Sequence, residues 1–570
     1  MTPPRTLARL AALRSTHGPG CAGTRLPLLR SLEGVQFRTS AQVVALHEQL
    51  CFLHAYPDDA EVFAQVARML DGFHARADVK RHRARFVNSG IAGSDIVYPF
   101  GFSTARWLAG RVGDRMGVEW KEVGNPAAVE TRLQLLTLWA ERPVFDEPPL
   151  DGRAWLDRIR GRETDAAFII RRSAALPIRG LVANYLYDEL GLTIRVSAGP
   201  GTPNRTRARV PGRALVAQKA PLRLARPDIV AEMAKPPRRI NWISERRARV
   251  FLDLARESMV TRSRDLHTFS AANARDARLI DCGDGLELFC IGVEPEQRLL
   301  LDAVYGILTL RNGVPIGYAL FSALWRSSEV AYNVFESYRG GESAWVYGRL
   351  LATIRAMFGT DTITVDPYQL GHENDEGLES GAWWFYYKLG FRPWDTDVAR
   401  LAESEARKVR SRRGYRTSLA TLRKLVRANL FLQTGPPRDD VIGAIPTGAI
   451  GLRVSDYVEA RFGTDREQAT ATLAAEAGAR LGADNWHRWP AGERLFWERW
   501  APLVALMPGL DAWTAAEKRD LAAIIRAKGG RRESDFVACF DAHPRVGAAL
   551  VALARRIPCP MEAGFSDLAD

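Results

Sequence analysis

Apolar residues from Ala41 to about Trp155 recur at helical spacing. Val43, Leu46, Leu50 and Leu53 share one face, and Pro57-Asp58-Asp59 restarts a helix carrying Val62, Val66 and Leu70. This predicts a helical N-terminal domain over 41–160, preceded by a flexible, Pro-containing leader at 1–40. The pattern over 161–240 is mixed. An apolar run at Ala166–Ile170 and a turn at Gly199-Pro200-Gly201 give way to a Pro- and Arg-rich tract, Pro203 to Arg239, which reads as a linker.

The texture changes near Trp242. A helix-like stretch to Glu257 is followed by β patterns at Leu286–Gly292, Val304–Leu310 and Ile316–Ala323. Asn312-Gly313, two residues that tolerate positive φ, marks a hairpin turn between the last two. Another strand is expected over Val330–Phe335, then a helix from about Ser343 to Phe358, a short strand at Thr362–Val365 and a helix through Ala382–Leu389. Past Arg427 helical periodicity returns until near Ile557, with Gly435-Pro436-Pro437 at the boundary. The expected class is α+β: a mixed core over 241–427, flanked by helical N-terminal and C-terminal (428–570) domains.

Composition adjusts this picture only slightly. At 570 residues, with 46% hydrophobic and 25% charged positions, the chain is ordinary globular protein with room for about three or four domains. No stretch approaches the ~20 apolar residues of a membrane span, since Val441–Leu452 is short and contains Pro446; a cytoplasmic location is the expectation. The six cysteines are scattered with no CxxC pair, which suggests reduced thiols rather than a zinc site or disulfide framework. His47, His54, His74 and His82 are i,i+7 or further apart and do not make a metal-ligand pattern.

The net charge of +13 is local. Thirteen basic residues between Gly201 and Val250 face three acids, nine between Leu401 and Arg427 face two, and the remainder of the chain nets −4. Nucleic acid is one partner such tracts fit, but few aromatics interleave with Arg205–Arg249 to stack bases. G+C-rich coding is an alternative source, because only nine of the 79 basic residues are Lys.

The chemistry concentrates between Val304 and Pro393. A loop reads Tyr338-Arg339-Gly340-Gly341-Glu342-Ser343-Ala344 and opens a helix; after one strand follows Ala382-Trp383-Trp384-Phe385-Tyr386-Tyr387-Lys388-Leu389-Gly390-Phe391. The order of elements, the Y-R-G entry and the A-x-x-x-Y-x-K-x-G-F helix resemble the GNAT superfamily of N-acyltransferases, over roughly residues 242–400. The resemblance implies that Arg339, Gly340, Gly341, Ser343 and Ala344 hold the pyrophosphate of acetyl-coenzyme A or another acyl-coenzyme A. The physics is consistent: a helix N-terminus offers unpaired amides, glycines admit close approach and Arg339 adds a charged donor.

Glu342 departs from the family pattern, which places glycine there, and a carboxylate near a pyrophosphate is repulsive. Tyr386 matches the general acid that protonates a departing thiolate, and Glu336 is the candidate base for an amine acceptor, either a small molecule or a peptide. The acidic stretch His372–Glu379 is expected as a solvated loop or a selector of cationic acceptors. The expected activity is acyl transfer to an amine. The alternatives are a GNAT-shaped binding or scaffold protein, or a relative of aminoacyl-tRNA-dependent peptidyl transferases, of whose two GNAT-like units only one is legible here.

Overall fold

A computed structural model describes residues 2–146, 151–177 and 181–555. The chain is mixed α/β, with helical N- and C-terminal regions around a central sheet. A small sheet comes first: β1 (Ile96–Tyr98), β2 (Met116–Val118) and β3 (Ile194–Val196), in the order β1-β3-β2. The large sheet contains β4 (Arg239–Trp242), β5 (Ala272–Gly283), β6 (Leu286–Val293), β7 (Ala303–Arg311), β8 (Val314–Leu324), β9 (Ser327–Val334), β10 (Thr362–Val365), β11 (Arg392–Pro393) and β12 (Leu430–Gln433). Its order is β11-β12-β10-β9-β8-β7-β6-β5-β4, and only β9 and β10 are paired in parallel.

Helices that position the site are α1 (Ser40–Ala55), α2 (Glu245–Val260), α3 (Ser343–Phe358) and α4 (Ala382–Lys388); α5 (Thr447–Phe462) and α6 (Ala491–Leu506) belong to the C-terminal region. Helix α2 starts at Ser244, whose hydroxyl accepts the Arg247 amide at 3.4 Å, and buries Phe251, Leu252, Ala255 and Met259 along one stripe. Phe251 stacks on Phe289 of β6, so α2 covers one sheet face. Helix α3 covers the other, with Phe358 against Tyr305 and Phe321. The β7–β8 hairpin turns at Asn312-Gly313 with φ of +52° and +78°, the left-handed geometry its sequence anticipates.

Several expected boundaries move. Residues 1–40 are not a flexible leader: Pro3–Ala12 and Cys21–Leu32 are helices that bury Leu7, Leu10, Leu28, Leu29 and Leu32 in the main core. The expected 41–160 domain divides instead. Its first helices join that core, whereas a second core gathers residues from Ile96 to Val196 and crosses the boundary at 160. The 161–240 segment therefore does not act as one unit, and Arg239–Trp242 is an edge strand. The C-terminal boundary also shifts, because Leu430–Gln433 sits inside the large sheet between β10 and β11.

Among the described residues no single helix is long and apolar enough to cross a membrane. Cys51, Cys282 and Cys290 are buried free thiols, and Cys539 is an exposed one. The two basic tracts also differ. Arg205, Arg213, Arg223, Lys235, Arg238 and Arg249 of the first are ion-paired, to Glu48, Glu287, Asp284, Glu232, Asp284 and Glu245 respectively. In the second, Lys408 alone is ion-paired among the described residues, to Glu405.

Candidate functional site

The parallel strands β9 and β10 pair only at Thr362–Ser327, Ile363–Ser328 and Thr364–Glu329. Strand β10 then ends at Val365, and Asp366-Pro367 opens a short helix that carries the chain away. Strand β9 continues to Val334, paired on that side of its length with β8 alone. The strands part, and a cavity of about 530 Å³ opens between them. Its lining comes from both sheet faces: Tyr318, Leu320, Ala331 and Asn333 from the α2 side, and Ser343, Phe385 and Tyr386 from the α3 side.

Tyr386 is buried at the head of this gap, edge-on to Tyr347 at 5.7 Å and to Phe391 at 5.6 Å. Its hydroxyl lies against the main-chain amide of Tyr332 on the unpaired stretch of β9. Burial, opposed by that amide, raises the phenol above its ordinary value, so it stays protonated as a donor. The parting of the strands thus supplies two donors at one point, a strand amide and a phenol.

On the α3 side the cavity meets the loop that enters the helix. Gly340 has φ +78°, a conformation L-residues rarely adopt, and open space where a side chain would stand. The first helical bond of α3 runs from the Val346 amide to the Glu342 carbonyl, and no side chain caps the first turn. Gly340, Ser343 and Arg339 line the cavity; Gly341 and Ala344 do not. Arg339 donates to Glu376 at 2.8 Å, and Arg264 reaches the other oxygen of that carboxylate at 2.9 Å. Burial alone would raise the Glu376 carboxyl; Arg264 and Arg339 outweigh it and hold it below its ordinary value. The acidic stretch therefore contributes Asn374, Glu376 and Gly377 to the rim, with Glu376 its one acid there, a strap across two arginines.

Glu342 points the other way. It is buried outside the cavity, accepts the Arg223 amide at 3.2 Å and stands 3.6 Å from the Arg311 guanidinium. Its carboxylate binds the Pro- and Arg-rich segment to the back of the helix entry and keeps its own charge off the cavity side of the loop. The N-terminal helices hold the same loop. Tyr338 donates to the Cys51 carbonyl at 3.4 Å, Arg205 bridges Ser337 and Glu48 at 2.9 and 2.6 Å, and Arg14 donates to the Ser337 carbonyl.

Glu336 does not enter the cavity. It is exposed on the turn Glu336–Tyr338, where the chain has already left the strand. Besides Glu376 on the rim, a second acid, Glu329, stands next to the cavity without lining it. Direct pairing and alternation put Tyr318, Leu320 and Ser322 of β8 beside Asn333, Ala331 and Glu329 of β9 on the α2 face, so Glu329 continues the cavity-lining row to the crotch where β10 joins. Burial, reinforced by Asp366 and Asp302, pushes its carboxyl up to about 7. Sequence reasoning missed Glu329, for which the alternation Glu-x-Ala-x-Asn over residues 329–333 was a usable signal. It marked the acidic stretch that contains Glu376, but not the pairing of Glu376 with Arg339 and Arg264.

The arrangement combines an anion-receptive loop, two hydrogen-bond donors and a carboxyl that exchanges its proton near neutrality, around one gap in a sheet. No family model matches this chain, and no curated protein or solved structure matches it.

Proposed function

We propose that the chain is an acyl-coenzyme-A-dependent N-acyltransferase acting on an amine. The observation that carries this reading is the parting of β9 and β10, which exposes the Tyr332 amide beside Tyr386 at a cavity whose rim is the Arg339–Ser343 helix entry. Arg339, Gly340 and the first-turn amides of α3 would hold the phosphates of the donor, with Arg339 exchanging Glu376 for phosphate. The bound donor supplies an activated thioester. Glu329 takes the proton of the attacking amine, directly or through a water. The Tyr332 amide stabilises the carbonyl oxygen as it gains charge. As the N–C bond forms and the C–S bond breaks, the Tyr386 hydroxyl proton passes to the departing sulfur. Glu329 replaces Glu336 in the role of base.

Tyr386→Phe keeps the ring and its packing but removes the proton. Turnover is expected to fall about 10²-fold or more, with acetyl-coenzyme A affinity unchanged by calorimetry. Unaltered turnover would remove Tyr386 from the mechanism. A non-catalytic scaffold is the second reading, favoured by the prior engagement of both Arg339 and Arg264 with Glu376. Calorimetric titration separates the two. If neither the wild type nor Glu376→Ala binds any acyl-coenzyme A, the scaffold stands and the enzyme does not.

A further inference from the structure

A second depression, of about 380 Å³, lies where Leu299–Asp302 meets α5 and α6. Its walls are apolar, with Leu299, Leu301, Ile450, Val454 and Leu503 among them. Leu299 is 54% exposed and Leu300 37%, an unusual degree for neighbouring leucines at the mouth of a strand. One carboxylate lines this pocket. The Oδ1 atom of Asp302 is buried and has no hydrogen-bond partner among the described residues. Such a group is costly to leave unpaired, and burial raises its carboxyl above the ordinary value against the pull of Lys528.

The nearby cations are occupied. The Lys528 ammonium donates to the main-chain carbonyls of Leu301 and Asp302, both at 2.9 Å, and to the Glu533 carboxylate at 2.5 Å. Arg499 also lines the pocket, and its guanidinium donates to the Glu296 carbonyl at 3.1 Å. Strand register sets Asp302 near the crotch of the sheet, although the pocket and the cavity share no lining residue. Val304, Ser322 and Glu329 form one row across β7, β8 and β9 on the α2 face, and Asp302 stands immediately before β7. Asp302 is close enough to raise the charge cost at Glu329. An apolar pocket is therefore lined by one unpartnered carboxylate, which stands within electrostatic reach of the acid at the crotch of the sheet.

We infer that this pocket binds an aliphatic primary amine, its hydrocarbon body on Leu299, Leu301, Ile450 and Val454 and its ammonium at Asp302. That this amine is the acyl acceptor rests on the function proposed above; that the pocket binds it does not. An aliphatic acid is excluded by the carboxylate, and an alcohol leaves that carboxylate without its counter-charge.

The test uses the full chain without any acyl donor. Calorimetric titration with butyl-, hexyl- and octylammonium is expected to show affinity rising about fourfold per methylene. Hexanoate is expected not to bind, and hexanol to bind at least tenfold more weakly than hexylammonium. Asp302→Asn is expected to weaken hexylammonium at least tenfold. Gly451→Phe provides a second variant, because a Cβ at Gly451 meets nothing within 4 Å and a ring there fills the pocket from an open helix surface. It is expected to abolish binding with an unchanged melting temperature. No binding of hexylammonium, equal binding of hexanoate, or unaltered affinity in both variants would overturn the inference. Binding as expected, with no transfer to hexylamine from any acyl-coenzyme A, would leave the pocket standing and remove its acceptor role.

Discussion

Glu329→Gln is expected to lose turnover and gain stability, a pairing that a structural residue does not give. Under the proposed mechanism kcat/KM rises through a pH near 7 as Glu329 ionises, then levels. The glutamine cannot take a proton, so the step at 7 disappears and the plateau falls about 10²- to 10⁴-fold. Stability follows the same carboxyl with opposite sense. In the unfolded chain it ionises near its ordinary value of 4.5, whereas in the fold it keeps its proton up to about 7. The folded state thus holds the extra proton between those values, and stability declines as pH rises across that window. Below it the variant and the wild type should match. At pH 8, where the wild type carries the buried charge among Asp302 and Asp366, Glu329→Gln should be more stable by about 3 kcal/mol. Denaturant melts at pH 4 and pH 8, with rates measured across pH 5.5–9, check both halves. Equal stability at pH 8 would show that Glu329 is not the group titrating near 7.

The second large effect lies at the joint between the C-terminal helices and the sheet. Lys528 and Glu533 are fully buried and paired to each other. Arg298 extends the joint through the main-chain carbonyls of Lys528 and Gly530, at 2.6 and 2.8 Å. Asp276 adds to it by accepting the Glu533 amide at 2.9 Å and the Tyr305 hydroxyl at 2.8 Å. Lys528→Met leaves the buried Glu533 carboxylate with only Arg298, at 3.9 Å, and is expected to destabilise the chain by about 3–5 kcal/mol. Adding Glu533→Leu should recover part of that loss, because the pair then carries no stranded carboxylate while Arg298 keeps its main-chain acceptors. Guanidinium unfolding of the two single variants and the double variant measures the coupling. Additive losses would mean that the two groups do not act as a pair. Lys528 also anchors the carbonyls of Leu301 and Asp302, so Lys528→Met should weaken alkylammonium binding in parallel with stability.

Much of the core was legible because its signals are local. Ser343–Phe358 and Thr362–Val365 fall where periodicity put them, the helix by its apolar stripe and the strand by a short β-branched run. The Asn312-Gly313 turn needs no tertiary help. Strand β5 was not legible: Ala272–Gly283 carries Arg275, Asp276, Arg278 and Asp281, which read as a polar loop. Tertiary partners absorb that polarity, since Arg278 reaches Ser534 at 2.5 Å and Asp276 is bonded to Tyr305 and Glu533. The helices over 3–32 were hidden for a related reason. Their arginines suggested a solvated leader, yet Arg25 is buried against Asp58 and the leucines beside it close the core.

The candidate site divides along the same line. The loop Arg339–Ala344 and the position of Tyr386 in its helix were readable from residue order, because a glycine-rich helix entry and a helix stripe are properties of a few consecutive residues. Which acids belong to the site was not. Glu342, next to the loop, turns away because Arg311 and the Arg223 amide draw it to the opposite side. Glu336, seven residues closer to the loop than β9's own acid, is left in solvent by the turn that follows the strand. Glu329 gains its character from Asp302 and Asp366, which stand 27 residues before it and 37 after it in the chain. Spacing within a segment sets which face a residue takes. Burial and opposing charge set what its carboxyl does, and both are contributed by parts of the chain that only folding brings together.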